Sequence, residues 1–160
     1  SISGNCVTCV MEGSRPILIE VQALVTASTY SSPQRTANGF DQRRLSLLIA
    51  VLEKRAGVSF AGQDVYLNVA GGLKISDPSA DLAVIAALSS SIKDHPIKKK
   101  AIFIGEVGLG GEIRGIRFRE QRIREAEKMG LTSVVAPPAE RSIDSDIEVI
   151  ERTYISQIDK

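Results

Sequence analysis

The sequence predicts an α+β domain in which helices pack on a mixed sheet, and three features carry that expectation. The predicted elements run hairpin, helix, strand, helix, strands, helix, strand, which is not the strict strand–helix alternation of a doubly wound fold. A chain of 160 residues, with 43% hydrophobic and 24% charged residues, has the length and composition for one buried core rather than for disorder. One segment, Leu82–Leu88, is apolar almost all the way round, the mark of a helix buried against more than one neighbour.

Cys6–Met11 reads as a strand, Glu12-Gly-Ser-Arg-Pro16 as a turn and Ile17–Val25 as a second strand, since Ile17, Ile19, Val21 and Ala23 alternate with Leu18, Glu20, Gln22 and Leu24. A polar loop covers Ser28 to Gly39. Asp41 is placed to cap a helix whose Leu45, Leu48, Ile49 and Leu52 recur on one face, which ends at Gly57 and leaves Arg43, Glu53 and Lys54 facing water. Asp64–Val69 is a short strand broken by Gly71-Gly72. Asp77 and Pro78 suit the cap and first position of the apolar helix, because proline has no N–H to lose there. Ala101–Ile104 is a strand, Gly105–Arg117 a strand and tight hairpin, Arg119–Met129 a charged helix and Thr132–Ala136 a last core strand, with Ile147–Ile150 adding an edge. Neither a repeat nor a linker divides the chain, so residues 1–160 are read as one domain with its core over about 6–138. The tail from Ala139 to Lys160, with six acidic and three basic residues, is expected to be peripheral.

Composition narrows the function. The apolar runs are far shorter than the ~20 residues that span a bilayer, and no secretory leader is visible, so a cytoplasmic protein without a membrane partner is expected. Cys6 and Cys9 form a C-x-x-C, but residues three apart on a strand point to opposite faces and cannot share a metal. No further cysteine and only one histidine, His95, are present to complete a zinc site. No metal site is therefore expected, and His95, between Asp94 and Pro96, reads as a solvated loop residue. Gly71-Gly-Leu-Lys74 has the wrong spacing for a triphosphate loop. The net charge of +1 is unevenly spread: Lys98 to Lys128 carries nine basic and five acidic residues. Such a stripe suits phosphate backbones, and Lys98, Lys99, Lys100, Arg114, Arg117, Arg119 and Arg124 are its candidate contacts, against a plain solvated surface as the alternative. Arg35, Asp41 and Arg44 are candidates for subunit contacts; a helix-start network is the simpler reading.

Gly71-Gly-Leu-Lys-Ile-Ser-Asp-Pro-Ser-Ala80, followed by Gly105-Glu-Val-Gly-Leu-Gly-Gly-Glu-Ile-Arg114 and a charged helix, resembles the peptidase domain of Lon proteases. The resemblance implies the Lon-protease-like fold, of the ribosomal protein S5 domain 2-like group, which also includes small-molecule kinases. It places Ser79 at the nucleophile and, 43 residues on, Arg122 at the position of the lysine base. A lysine serves there because it can lose its proton near neutral pH, whereas a guanidinium stays charged. No catalytic residue is therefore expected, and Ser79 and Arg122 read as vestiges. Asp81, which stands where that family has glycine, could pair with Arg122 and hold the site closed. An active peptidase using another base, drawn from Lys93–Lys100, is the alternative.

Longer segments, Val7–Val25, Val51–Gly57, Asp64–Gly72 and Asp81–Ala83, are similar to the C-terminal region of the RadA (Sms) family of bacterial DNA-repair proteins. That resemblance implies a larger protein with a zinc module and a RecA-like core using ATP and Mg, neither of which lies in these residues. It also implies self-association into a hexameric ring, branch migration on single-stranded and branched DNA, and a recombinase of the RecA type as partner. In that setting the present domain is expected to be a non-enzymatic scaffold and DNA-contact surface.

Overall fold

The computed structural model describes residues 2–29 and 31–158. A seven-stranded mixed sheet carries the fold, in the order β3-β4-β2-β1-β5-β8-β9. Its strands are β1 (Asn5–Glu12), β2 (Arg15–Ala27), β3 (Arg35–Asn38), β4 (Gln63–Val69), β5 (Ala101–Phe103), β8 (Ser133–Ala136) and β9 (Glu148–Glu151). A separate hairpin, β6 (Glu106–Val107) and β7 (Ile113–Arg114), stands apart from it. The pairs β1/β2 and β2/β4 are antiparallel, while β3/β4, β1/β5, β5/β8 and β8/β9 are parallel. The α+β class and mixed sheet are as the element order predicts.

Alternation along β1 divides the core into two layers. Cys6 and Val10 point to one face, where α1 (Gln42–Ala56) and α2 (Asp81–Lys93) pack. Cys9 points to the other, where it joins Ile102, Ile104, Val134 and Ala136 of the sheet and Ile123 and Ala126 of α3 (Arg119–Lys128). The two thiols of the C-x-x-C therefore face away from each other. Every residue of α2 from Asp81 to Ser90 is buried, as its all-round apolar sequence requires. The sides of α1 divide as expected: Asp41 accepts from the amides of Arg43 and Arg44 at its start, and Gly57 ends it in the left-handed region at φ +70°. Arg43, Glu53 and Lys54 are exposed.

Three expectations are corrected. The hairpin turn is only Gly13-Ser14, with Gly13 at φ +62°, because Met11 already pairs with Pro16 and Glu12 with Arg15. The polar loop from Ser28 to Gly39 contains β3, clipped to α1 where Gln42 Oε1 accepts from the Ala37 N–H (2.8 Å); Tyr30 of that loop lies outside the described residues. The acidic tail is not wholly peripheral. It supplies β9, and Ile147 and Ile155 are buried, since β8 would otherwise present an unpaired edge; Asp159 and Lys160 lie outside the described residues. Among the described residues no helix is long and apolar enough to cross a membrane.

Ile123 is wholly buried between α3 and the sheet. Ile123→Ala is predicted to cost about 2–5 kcal/mol, read as a lower denaturant midpoint with an unchanged slope.

Candidate functional site

Ser79 lies in the 3-10 turn Pro78–Ala80 that leads into α2. Asp77 organises this turn. Its Oδ1 accepts from the Ser79 N–H (3.0 Å), and its Oδ2 accepts from the Met11 N–H of β1 (2.9 Å) and from Arg122 Nη1 (2.8 Å). Gly105, just after β5, closes the turn from the other side: its N–H donates to Ser79 O (2.9 Å) and its carbonyl accepts from the Leu82 N–H (3.0 Å). A side chain there would meet Ile113 Cγ2 at 2.7 Å, so the close approach needs glycine.

Arg122, 3% exposed, reaches the serine from α3. Its Nη1 donates to Ser79 Oγ, to Asp77 and to Cys9 O (2.8 Å), and its Nε donates to Arg117 O (2.9 Å). Ser79 and Arg122, the two positions singled out by the resemblance, are therefore brought into direct contact across 43 positions of sequence. A guanidinium bonded to the hydroxyl donates to it and takes no proton from it. Burial alone would push the Asp77 carboxyl up, but the amides of Met11 and Ser79, with Arg122, outweigh it and hold Asp77 below its ordinary range. Around these groups lies a cleft of about 390 Å³, lined by Met11, Asp77, Ser79, Glu106, Phe118 and Arg122 among others.

The expected Asp81–Arg122 pair is not formed. Two residues past Ser79 the helix has turned Asp81 toward α1 and β6, where Arg44 grips it with Nε (3.1 Å) and Nη2 and the Val107 N–H donates to it (3.1 Å). Burial pushes the Asp81 carboxyl up, opposed by Arg44 and that amide. Asp77 is the counter-ion that sequence reasoning missed. An inward arginine calls for a carboxylate, and both Asp77 and Asp81 stand within two residues of the serine, but only the path of β1 and α3 selects between them.

The remaining candidates fall in separate places. Asp41 caps α1 and Arg44 is committed to Asp81 and to Val107 O (3.0 Å); Arg35 lies on the outer strand β3. Arg114 pairs with Glu112 (3.2 Å), Arg119 with Glu151 (3.6 Å) and Pro137 O (2.7 Å), and Arg124 with Glu120 (2.8 Å). Arg117 is exposed and stacks on the Phe118 ring at 5.3 Å. Lys98, Lys99 and Lys100 are exposed at the opposite end of β5 from Ser79. Lys100 and Gly105 are five steps apart along the extended chain of β5 and the residues after it, about 16 Å, so Lys98, Lys99 and Lys100 stand far from the serine. Arg114, Arg117 and Arg119 stand toward the other end of the sheet, and α3, which carries Arg124, runs from Arg119 back toward Lys100, whose carbonyl accepts from the Thr132 N–H (2.8 Å). Burial pushes the Cys9 thiol up to about 11, against the lowering effect of Arg122, and it pushes Cys6 up as well. Among the described residues no three His, Cys, Asp or Glu side chains converge as a metal site would need.

Fold and site thus define an α+β domain whose buried serine is held by an arginine. A family model described as "Subunit ChlI of Mg-chelatase" matches residues 22–140. DNA repair protein RadA of Streptococcus pyogenes serotype M3 is 48% identical over 159 residues, 98% of this chain and 35% of the relative. RadA of Bacillus subtilis is 47% identical over 137 residues, 86% of this chain and 30% of the relative, and RadA of Chlamydia muridarum 44% over 157 residues, 98% and 33%. The chain belongs to the family of that model and, by these identities, to the RadA family of DNA repair proteins, whose C-terminal part it matches. It spans about a third of the length of those relatives.

Because Asp77 is held below its ordinary value of 3.8, its ionisation stabilises the fold fully above that pH, and the contribution is lost as pH falls below it. Asp77→Asn is predicted to cost roughly 1–3 kcal/mol at neutral pH, since Arg122 loses its counter-ion. The gap between wild type and variant should narrow as pH falls from 4 toward 2. Asp81, shifted the other way, is common to both proteins and cancels in this difference, which urea titrations across that range would measure.

Proposed function

We propose that this chain is a non-catalytic, Lon-peptidase-like module of a RecA-like DNA-repair ATPase, serving ring assembly and contact with DNA. The observation that carries the reading is Arg122, seated on Ser79 Oγ where a peptidase needs a titratable base. Without a base the serine remains an ordinary alcohol. The similarity to RadA proteins supports the setting: a cytoplasmic hexameric ring acting on single-stranded and branched DNA beside a RecA-type recombinase. ATP, Mg and Zn would be held by parts of the protein that this chain does not span.

The cations best suited to phosphate are Lys98, Lys99 and Lys100 at one end of the sheet and Arg117 at the other, all exposed. Arg114, Arg119 and Arg124 each already face a carboxylate, which lessens their pull on a second anion. For subunit contact the outer strand β3, with Arg35, offers an open edge, whereas Asp41 is engaged in capping α1 and Arg44 in pairing with Asp81.

Two measurements test this. A fluorophosphonate probe should leave Ser79 unlabelled at neutral pH; an adduct on Ser79 that forms in folded but not in denatured protein would restore the peptidase reading. Binding of single-stranded DNA should weaken with salt, and changing Lys98, Lys99 and Lys100 together to alanine should lower the slope of log K against log salt by roughly 0.7 per lost contact. An unchanged slope would remove these lysines from the DNA path.

A further inference from the structure

On the face of the sheet away from α3, α2 packs chiefly over β1 and β2, and β5, β8 and β9 run on beyond its cover. Parallel strands are ordinarily covered on both faces. Here the stretch beyond α2 opens a cavity of about 650 Å³, a size that suits small-molecule ligands. Its floor is apolar, made by Ala101 and Phe103 of β5, Val135 of β8 and Ile150 of β9. One wall is the last turns of α2, through Ser89 and Lys93, and the next is the segment from His95 to Lys98. That segment is pinned to the helix, because Ser90 Oγ donates to His95 O (2.6 Å) and the His95 N–H donates to Ser90 O (3.0 Å). The cavity shares no lining residue with the cleft over Ser79.

The charges around it are of one sign. Lys93, His95, Lys98 and Arg152 border it, and among the described residues that line it none is acidic. Asp94, between two of these residues in sequence, accepts from Ser3 Oγ (2.9 Å) instead. Cations around a recess of low dielectric focus their field into it. The floor adds an independent sign. Ser133 is 1% exposed and lines the cavity on the same face of β8 as Val135. Its hydroxyl meets no hydrogen-bond partner among the described residues, a state that native interiors seldom leave unanswered. It stands at the Lys98 end, since the Ser133 N–H donates to Lys100 O (3.2 Å). Arg152 is already engaged by the carbonyls of Glu151 and Gln157. We propose that this cavity binds a small organic anion, its acidic head held by Lys93, Lys98 and the Ser133 hydroxyl and its apolar body laid on Phe103, Val135 and Ile150. A charged acceptor at that end answers the hydroxyl and both ammonium groups together. The inference stands apart from the scaffold and DNA reading and does not depend on it.

The test uses 8-anilinonaphthalene-1-sulfonate, a fluorescent aromatic anion, beside N-phenyl-1-naphthylamine, its uncharged counterpart. Lys93 and Lys98 are exposed, so a protein carrying both Lys93→Gln and Lys98→Gln is expected to keep its melting temperature. The proposal expects saturable binding of the anion by wild type, and binding about tenfold weaker in the double variant, the effect of losing charged hydrogen bonds. Affinity for the uncharged probe should be the same in both proteins and lower than that of wild type for the anion. Amide chemical shifts of wild type should move with the anion at Ala101, Phe103, Ser133 and Val135. Absence of saturable binding, equal affinity of wild type for the two probes, or full anion binding by the folded double variant would overturn the proposal. Shifts confined to residues around Ser79 would do the same. Should the double variant unfold, the comparison of the two probes on wild type and the position of the shifts decide.

Discussion

The Arg122 guanidinium is the interaction on which the arrangement of this domain turns. A charge that is 3% exposed is tolerated only where every direction offers an acceptor. Here the acceptors come from β1 through Cys9 O, from the turn before α2 through Asp77 and Ser79, and from the segment before α3 through Arg117 O. One side chain thus joins the sheet to both helical layers near its centre. The serine hydroxyl is one of those acceptors, so Ser79 is tied into the same network.

Two carboxylates flank that serine in unlike surroundings. Asp77 receives two amides and a cation and is held below its ordinary value. Asp81, more deeply enclosed, is pushed above it even with Arg44 beside it. Each has its own arginine, from α3 and α1 respectively, so the apolar helix α2 begins between two ion pairs. Arg44 also reaches Val107 O, which carries the constraint on to the β6–β7 hairpin. The first turn of α2 is therefore tied on both sides.

Much of this was legible locally. The strand of Cys6 and Cys9, the capped helix at Asp41, the Asp77-Pro78 start and the apolar run of Leu82–Leu88 each follow from spacing within a few residues, and each is found. What sequence did not show depends on pairing across long separations. β3 has no periodic signal in Arg35–Asn38 and exists because β4 lies parallel beside it. β9 has a weak apolar pattern and is fixed by β8. Ser79 and Arg122 could be matched by resemblance, but Asp77 looked like a cap and nothing more, because its second oxygen meets partners 66 and 45 residues away. Lys98–Lys100 and Arg119 belong to one basic run in the sequence, yet the sheet carries them to opposite ends with α3 running between, which composition alone has no means to express.

The arginine at position 122 is matched to Asp77. A lysine placed there would lie within reach of the same carboxylate that now sits 2.8 Å from Arg122 Nη1. A neighbouring negative charge favours the protonated amine, whereas base catalysis needs desolvation without such a partner. Arginine profits from what a lysine base would suffer: its fork of donors serves Asp77, Ser79 and two carbonyls at once. The carboxylate that organises the turn thus favours a permanent cation over a titrating one. Position 122 in this chain is suited to holding the fold together, because each of its acceptors is met by a donor that keeps its charge at every physiological pH.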